Sequence, residues 1–161
     1  MPYLIPRQQA IDKLNITLKE GECLGCWLVE SKAKYVLHKG KYTTVLLSEY
    51  PRTWGQTMVL LNTHKISISD TTKEECDELS QNLKKVTALL EKTLNPLRNY
   101  VASLGSIKNL LNTCPHLHFN VLPIYNDCDK PEDIFTRRNG VYDASEQEWE
   151  DLFSKLKQAW I

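Results

Sequence analysis

Apolar residues recur with the period of a helix in three segments of the chain. Over residues 72–94 they repeat every three or four positions, and Thr72-x-x-Glu75 forms a capping box at the start. Cys76 belongs to this apolar stripe, so we expect it in the core. The same period follows Ser145 up to Trp160, and residues 6–14 show it more briefly. The pattern predicts one short helix, one long helix and one C-terminal helix.

Strand patterns occupy most of the chain between these helices. Residues 35–38 and 42–47 flank Lys39-Gly40-Lys41, which predicts a hairpin. Further strands are predicted over residues 56–61, 97–104 and 115–123. Because the long helix falls between two strands, the order predicts an α+β fold: an antiparallel sheet of about five strands with one crossover helix and a C-terminal helix. No repeat or linker divides the chain, so we expect a single domain over residues 1–161.

The composition argues against several classes of protein. Acidic and basic residues number 20 each, and this balance argues against a general nucleic-acid or membrane-surface binder. No apolar run reaches membrane-spanning length, and the first residues lack a signal-peptide pattern. Five cysteines, an odd number, do not fit a secreted disulfide framework. We expect a cytosolic protein with reduced thiols.

The segment 115–123 carries the strongest candidate chemistry. Polar and apolar residues alternate there, so on a strand His116, His118 and Asn120 would project from one face. Two of the four histidines in the chain would then share a face with an amide. A solvated polar face would produce the same alternation, so the segment alone leaves both interpretations open.

The pair Cys23-x2-Cys26 suggests a metal site. Zn²⁺ prefers four nitrogen or sulfur ligands in a tetrahedron, so two more must come from elsewhere in the chain, and His64 and His116 are the candidates. A redox pair is disfavoured because a thioredoxin-like site needs its cysteine pair to open a helix after a central strand, and the residues around this pair do not predict that arrangement. Two unrelated thiols remain an alternative. Cys114 lies close enough in sequence to His116 to be a reserve ligand.

Together these motifs resemble the histidine-triad (HIT) superfamily. In that family three histidines alternate with apolar residues and the middle one is the nucleophile; here the positions hold His116, His118 and Asn120. Residues 51–64 are similar to the family's proline turn, Gly-His, apolar strand and closing histidine, with Gln56 in place of the first histidine. The resemblance implies an HIT-like fold with its core motif region at about residues 23–125.

Within the superfamily the chain looks closest to the branch of galactose-1-phosphate uridylyltransferase and the dinucleoside polyphosphate phosphorylases. That branch carries a zinc quartet, and the matching residues here are Cys23, Cys26, His64 and His116. Pro115 precedes the first histidine of the strand, as a proline does in that branch. An amide also takes the third position, although the branch uses Gln. The resemblance therefore implies a structural zinc ion.

The resemblance also implies an activity and a substrate class. The protein would be a nucleotide-conjugate hydrolase or nucleotidyltransferase that forms a covalent nucleotidyl-histidine on His118 at the α-phosphate. Asn120 would donate its amide to a phosphoryl oxygen. Other residues would contact the nucleotide or its phosphate: Gln56, Asn112, Thr113 and Ser48. Because family members commonly pair, we expect a homodimer.

Two departures from the family pattern keep a second interpretation open. Residues 104–113 retain one glycine where the family has a glycine-rich phosphate loop, and Asn120 cannot protonate a leaving group. A zinc-stabilised nucleotide-binding module with little or no turnover would fit both. Arg52, Arg137 and Arg138 carry the charge of phosphate ligands, although arginines more often lie in solvent.

Overall fold

An antiparallel sheet forms the centre of the computed structural model, which describes residues 1–14, 16–105, 107 and 114–160. In chain order its elements are β1 (Tyr3–Ile5), α1 (Arg7–Lys13), α2 (Leu24–Trp27), β2 (Val36–Lys39), β3 (Thr43–Leu47), β4 (Thr57–Leu61), α3 (Lys73–Leu94), β5 (Arg98–Ala102), β6 (His118–Ile124), α4 (Pro131–Thr136), β7 (Val141–Asp143) and α5 (Glu146–Ala159). A π-helical turn, Leu28–Lys32, continues α2.

The central sheet has the strand order β2-β3-β4-β6-β5, and every neighbouring pair is antiparallel. Helix α3 connects β4 to β5, which leaves room for β6 between them. The predicted α+β fold, with five strands, a crossover helix and a C-terminal helix, is confirmed. Within the described residues, no helix is both long enough and apolar enough to cross a bilayer.

The two faces of the sheet pack against different parts of the chain. Val45, Val59 and Val121 belong to the main core, which they form with α3 and α5. Leu46 and Leu60, the next residues along β3 and β4, pack instead against the segment that follows α2. Because side chains alternate along a strand, His118 and Asn120 lie on this second face of β6. The main core therefore occupies one face, and the polar residues of β6 occupy the other.

Three local predictions are wrong. His116 lies in a bend before β6, which begins at His118, because the backbone of Leu117 pairs with Leu61 and Lys65. Cys76 is exposed because Glu75 takes the buried position in the first turn of α3.

The third error concerns the segment around the Cys-x2-Cys pair. Cys23 is the N-cap of α2 and Cys26 lies within that helix, so a helix does start at the pair. This part of the sequence argument against a redox pair is therefore wrong, although the described residues directly before the pair, 16–22, form no strand. The strands β1 and β7 and helix α4 were not predicted, because three to six residues are too few to establish a period.

Glu75 connects the start of α3 to the loop after β4. Its carboxylate accepts hydrogen bonds from the Thr63 hydroxyl at 2.7 Å and from the Thr72 backbone N–H at 2.7 Å, and it pairs with the Lys65 ammonium. These contacts, the Lys65 interaction first, lower the pKa of Glu75 to about 2. Its side chain is 4% exposed, so solvent screens the contacts little.

We expect Glu75→Gln to destabilise the fold by about 1–3 kcal/mol at neutral pH, because buried partners lose a charged acceptor. A lowered carboxyl pKa stabilises the folded state above the unfolded pKa. The effect of the substitution should therefore shrink as the pH falls from about 4.5 towards about 2. Urea unfolding at a series of pH values measures this. Glu74→Gln, an exposed neighbour in the same turn, is the control. Equal losses in both variants, or a loss independent of pH, would contradict the role of Glu75.

Candidate metal centre and active site

Two cysteines and two histidines from three separate segments meet beside the sheet. Cys23 and Cys26 come from the start of α2, His64 from the loop after β4, and His116 from the bend before β6. One ligand atom from each residue lies within 4.8 Å of the others. The structure thus brings together the four residues that the sequence analysis named as metal ligands.

The distances in this cluster suit a tetrahedral metal ion. The Cys26 sulfur lies 3.3 Å from Nδ1 of His64 and 3.6 Å from Nδ1 of His116. The Cys23 sulfur lies 3.7 Å from Nδ1 of His116. In a tetrahedral site with metal–sulfur bonds of about 2.3 Å and metal–nitrogen bonds of about 2.0 Å, sulfur and nitrogen ligands lie about 3.5 Å apart. The residues present therefore fit one such ion.

His116 is fixed in the state that a metal ligand needs. Its Nε2 donates to the Leu61 carbonyl at 2.7 Å, so Nδ1 carries the lone pair that faces the sulfurs. Burial lowers the pKa of His116, which keeps the ring neutral. Gly25 packs on this ring so closely that a Cβ at its position would overlap it. The first turn of helix α2 can approach His116 this closely only because residue 25 is glycine.

The loop that carries His64 is fixed on both sides. Thr63 and Lys65, its two neighbours, bind the Glu75 carboxylate. The Lys65 carbonyl accepts a hydrogen bond from the Leu117 N–H, which follows His116 in the chain. The sequence analysis identified Glu75 as a helix cap, but nothing in the capping motif indicates this second role.

A cavity of about 400 Å³ opens on the same face of the sheet as the metal cluster. Its wall includes four of the predicted site residues: the two predicted catalytic residues, His118 and Asn120, and two predicted substrate contacts, Gln56 and Ser48. Leu46 and Leu60 supply an apolar part of the wall. Predicted Asn112 and Thr113 lie outside the described residues.

His118 holds one ring nitrogen ready for nucleophilic attack. Its Nδ1 donates to the His116 carbonyl at 2.7 Å, so Nε2 carries the lone pair. Burial lowers the pKa of His118, and the positive charges of Arg52 and Arg137 lower it further. Gly105 lies against this ring, since a Cβ there would be 3.5 Å from Cε1 of His118. The arrangement is that of a neutral imidazole in the wall of a cavity.

Asn120 is oriented by a chain of amide contacts. Its Oδ1 accepts from Nε2 of Gln56 at 2.8 Å, and Oε1 of Gln56 accepts from the Arg52 backbone N–H at 2.8 Å. Nδ2 of Asn120 lies 3.5 Å from the Ala102 carbonyl, which is long for a hydrogen bond. Its amide oxygen is therefore occupied, and its N–H groups are the part left for other contacts.

Arg52 differs most from its expected position. It is 8% exposed and lies in the cavity wall, whereas the expectation for an arginine was a solvated side chain. Arg137 also lines the cavity, whereas Arg138 is exposed and pairs with Asp133. Burial lowers the pKa of Arg52 to about 10, and burial followed by the charge of Arg52 lowers that of Arg137 to about 9. Residue type alone could not separate these positions.

Comparison with protein families and known structures gives one family match. The HIT domain family matches residues 29–127 of the chain. Among curated proteins, no sequence match was found.

Solved structures resemble the chain in fold at low sequence identity. A hypothetical histidine triad nucleotide-binding protein from Sulfolobus tokodaii strain7 has a TM-score of 0.67 and 18% identity, with 85% of this chain and 91% of that chain covered. A Zn-bound histidine triad family protein from Mycobacterium smegmatis has a TM-score of 0.67 and 19% identity, covering 88% and 95%. A uridylyltransferase has a TM-score of 0.61 and 18% identity, covering 87% of this chain and 45% of that chain.

We expect Cys23→Ser to lose bound metal and thermal stability together, because an ion in this cluster ties three segments of the chain and its binding free energy adds to folding. Metal per chain, measured by elemental mass spectrometry, and the melting temperature test this. Cys128→Ser, which changes an exposed thiol away from the cluster, is the control and should match the wild type. Gly25→Ala should also lower metal content, because the added Cβ displaces His116. Full metal content in Cys23→Ser would show that the cluster is not the site.

Proposed function

This chain belongs to the HIT domain family, and on that basis we propose that it is a nucleotide-conjugate hydrolase or nucleotidyltransferase that acts through His118. The observation that carries the proposal is the state of the His118 ring. Nδ1 donates to a backbone carbonyl, so Nε2 carries the lone pair. The side chain lies in the wall of a cavity of about 400 Å³. A neutral imidazole held in this way is a good nucleophile for phosphorus near neutral pH.

The reaction proceeds in two steps. Nε2 of His118 attacks the α-phosphorus of the nucleotide conjugate, a phosphorus–nitrogen bond forms, and the leaving group departs with the electron pair of its bond to phosphorus. Water or another acceptor then attacks the nucleotidyl-histidine. The phosphorus–nitrogen bond breaks, the acceptor releases a proton, and His118 returns to its starting state. Water as acceptor makes the protein a hydrolase, and phosphate or a sugar phosphate makes it a transferase.

Asn120 assists the reaction by hydrogen bonding. Its Nδ2 donates to a nonbridging phosphoryl oxygen, where negative charge grows in the transition state. Gln56 supports this role, because it occupies Oδ1 of Asn120 and leaves the N–H groups for the phosphate. An amide cannot give a proton to a leaving group, so we expect leaving groups that are stable as anions. Contacts to the nucleotide and phosphate are assigned to Ser48, Gln56, Asn112 and Thr113.

The metal in this proposal is a structural zinc ion. Two thiolates and two imidazoles are a typical zinc donor set, and four protein ligands leave no open position for water or substrate. The Zn-bound structure from Mycobacterium smegmatis is a precedent within the same fold. The ion would supply stability and no chemical step. Its effect on catalysis would pass through His116, whose carbonyl holds His118.

A second candidate function is a nucleotide-binding module without turnover. The observation in its favour is Asn120, because no proton donor stands in the third position of the triad and the amide oxygen is already bound to Gln56. Both candidates predict nucleotide binding in the cavity. They differ in whether a covalent intermediate forms on His118.

We expect His118→Ala to abolish the nucleotidyl adduct and to lower turnover by at least about 10³-fold, because no other group replaces the nucleophile. Intact mass spectrometry after mixing with nucleotide sugars, dinucleoside polyphosphates and nucleoside phosphoramidates measures the adduct. His38→Ala is the matched control, since His38 stacks on Trp160 with ring centroids 5.2 Å apart. Turnover retained in His118→Ala would refute the mechanism. Nucleotide binding by the wild type without any turnover would establish the binding module instead.

The protein is also proposed to be a homodimer. Strand β5 is an edge of the sheet, and Leu97 and Val101 beside and within it are exposed apolar residues. Light scattering should give twice the mass of the chain. Val101→Asp should lower the measured mass, because it places a charge in the interface. A monomeric wild type would contradict the proposal.

A further inference from the structure

The polar groups in the wall of the cavity beside β6 are almost inaccessible to solvent. Ser48, Gln56, His118 and Asn120 all line the cavity, and each is at most 8% exposed. The cavity itself measures about 400 Å³, which is enough for a small molecule. Because the wall offers so little of these groups to solvent, we expect one part of it to move aside when a small molecule enters.

Much of the described wall is anchored in the body of the protein. Strands β3, β4 and β6 belong to the central sheet and pair with neighbours on both sides. The segment after α2 packs through Val29 on Leu46 and Leu60, and the start of α2 carries the two cysteines of the metal cluster. None of these segments can move without disrupting the sheet or the cluster.

Helix α1 is held much less firmly. Its apolar stripe consists of Ala10, Ile11 and Leu14, and all three residues line the cavity. Ala10 alone is buried within the helix, and it packs with Ile5 and Val141 in a small cluster separate from the main core. An amphipathic helix usually turns its apolar face to a core, whereas this one turns most of that face to a cavity.

One carboxylate ties both ends of the segment 3–14 to the body of the protein. Strand β1 pairs with β7 over three residues, and a two-stranded sheet of this size is only marginally stable. At the other end of the segment, the Lys13 ammonium lies 2.6 Å from the Asp143 carboxylate, which is 8% exposed. The Tyr3 hydroxyl donates to the same carboxylate at 3.3 Å. Asp143 is therefore a common anchor for β1 and α1.

The two sides of this contact differ in how they are held. Strand β7 is fixed from behind, because the Tyr142 N–H donates to the carbonyl of buried Pro51 at 2.8 Å. On the other side, the described residues 16–22 lead from α1 to α2 and contain no helix, no strand and no buried side chain. The segment 3–14 can thus separate from β7 while β7 stays in place.

We propose that residues 3–14, which form β1 and α1, are a lid that opens to admit a small molecule to the cavity, and that the Asp143 carboxylate holds this lid closed. Closure over a bound molecule buries the apolar side chains of Ile11 and Leu14, which favours the closed state. The lid lies outside residues 29–127, the part of the chain that matches the HIT domain family. The inference concerns access to the cavity and does not depend on the proposed activity of His118.

Hydrogen–deuterium exchange with mass spectrometry measures the opening. We expect the amides of β1 to exchange at least about a hundredfold faster than those of β4, because a lid opens locally and the central sheet opens only on global unfolding. Lys13→Met should accelerate exchange in β1 and α1 by about threefold to thirtyfold, because the Asp143 carboxylate loses its charged partner. Lys73→Met is the matched control. It breaks an exposed ion pair with Asp77 on α3 and should leave the exchange of β1 unchanged.

A disulfide between β1 and β7 tests whether the opening controls access. Leu4 and Tyr142 are directly opposite each other and neither is buried, so Leu4→Cys with Tyr142→Cys can bridge the strands. Ser48→Cys adds a reporter thiol in the cavity wall, and Cys76→Ser with Cys128→Ser removes the exposed native thiols. Iodoacetamide should label the reporter at least about tenfold more slowly in the oxidised protein than in the same protein reduced by a phosphine. Peptide mass spectrometry locates the label and verifies the bridge.

The outcomes decide the two parts of the proposal separately. Exchange in β1 as slow as in β4, or equal labelling rates in the oxidised and reduced protein, would overturn the lid. Unchanged exchange in Lys13→Met would overturn the role of Asp143. If the bridged variant does not fold, Ser48→Cys is labelled with and without Lys13→Met. Faster labelling in the Lys13→Met protein would then support the lid, and an equal rate would refute it.

The melting temperature and metal content of each variant show whether its fold is intact. Faster exchange in Lys13→Met, together with slower labelling in the bridged protein, would support the lid whether or not His118 forms a nucleotidyl adduct.

Discussion

His116 joins the metal cluster, the sheet and the nucleophile through three contacts of one residue. Its Nδ1 faces the sulfurs of Cys23 and Cys26, its Nε2 donates to the Leu61 carbonyl, and its own carbonyl accepts from Nδ1 of His118. An imidazole with one nitrogen fixed by a carbonyl can present only the other as an acceptor. Both rings are fixed in this way: a carbonyl accepts from Nε2 of His116, and another accepts from Nδ1 of His118. An ion bound at the cluster would therefore determine how His118 is presented to the cavity.

The architecture separates this chemistry from the main core. Alternation along β6 sends Phe119 and Val121 towards α3 and α5, and it leaves His118 and Asn120 on the opposite face. The segment that follows α2 packs on part of that second face, and the cavity opens beside it. Two arginines lie on this same side of the sheet: Arg52 is buried in the cavity wall, and Arg137 lines the cavity but is partly exposed.

Sequence patterns were enough for the longer strands and helices but not for the contacts between them. The five strands and the three amphipathic helices follow from their periods, and the metal residues came from the spacing of the cysteines and a family resemblance. The second role of Glu75, the exposure of Cys76 and the burial of Arg52 depend on which surfaces meet in the fold. Short elements such as β1, β7 and α4 are stabilised by tertiary contacts, and these leave no periodic trace in the sequence.

The coupling between metal and nucleophile is the central claim, and the tautomer of His118 tests it most directly. Nitrogen-15 NMR of the imidazole rings distinguishes a protonated from an unprotonated nitrogen, in the zinc-bound protein and again after a chelator removes the metal. The account predicts that His118 is protonated at Nδ1 alone in the zinc-bound protein, and that this single state is lost when the metal is removed. Protonation at Nε2, or a His118 spectrum unaffected by metal removal, would contradict it.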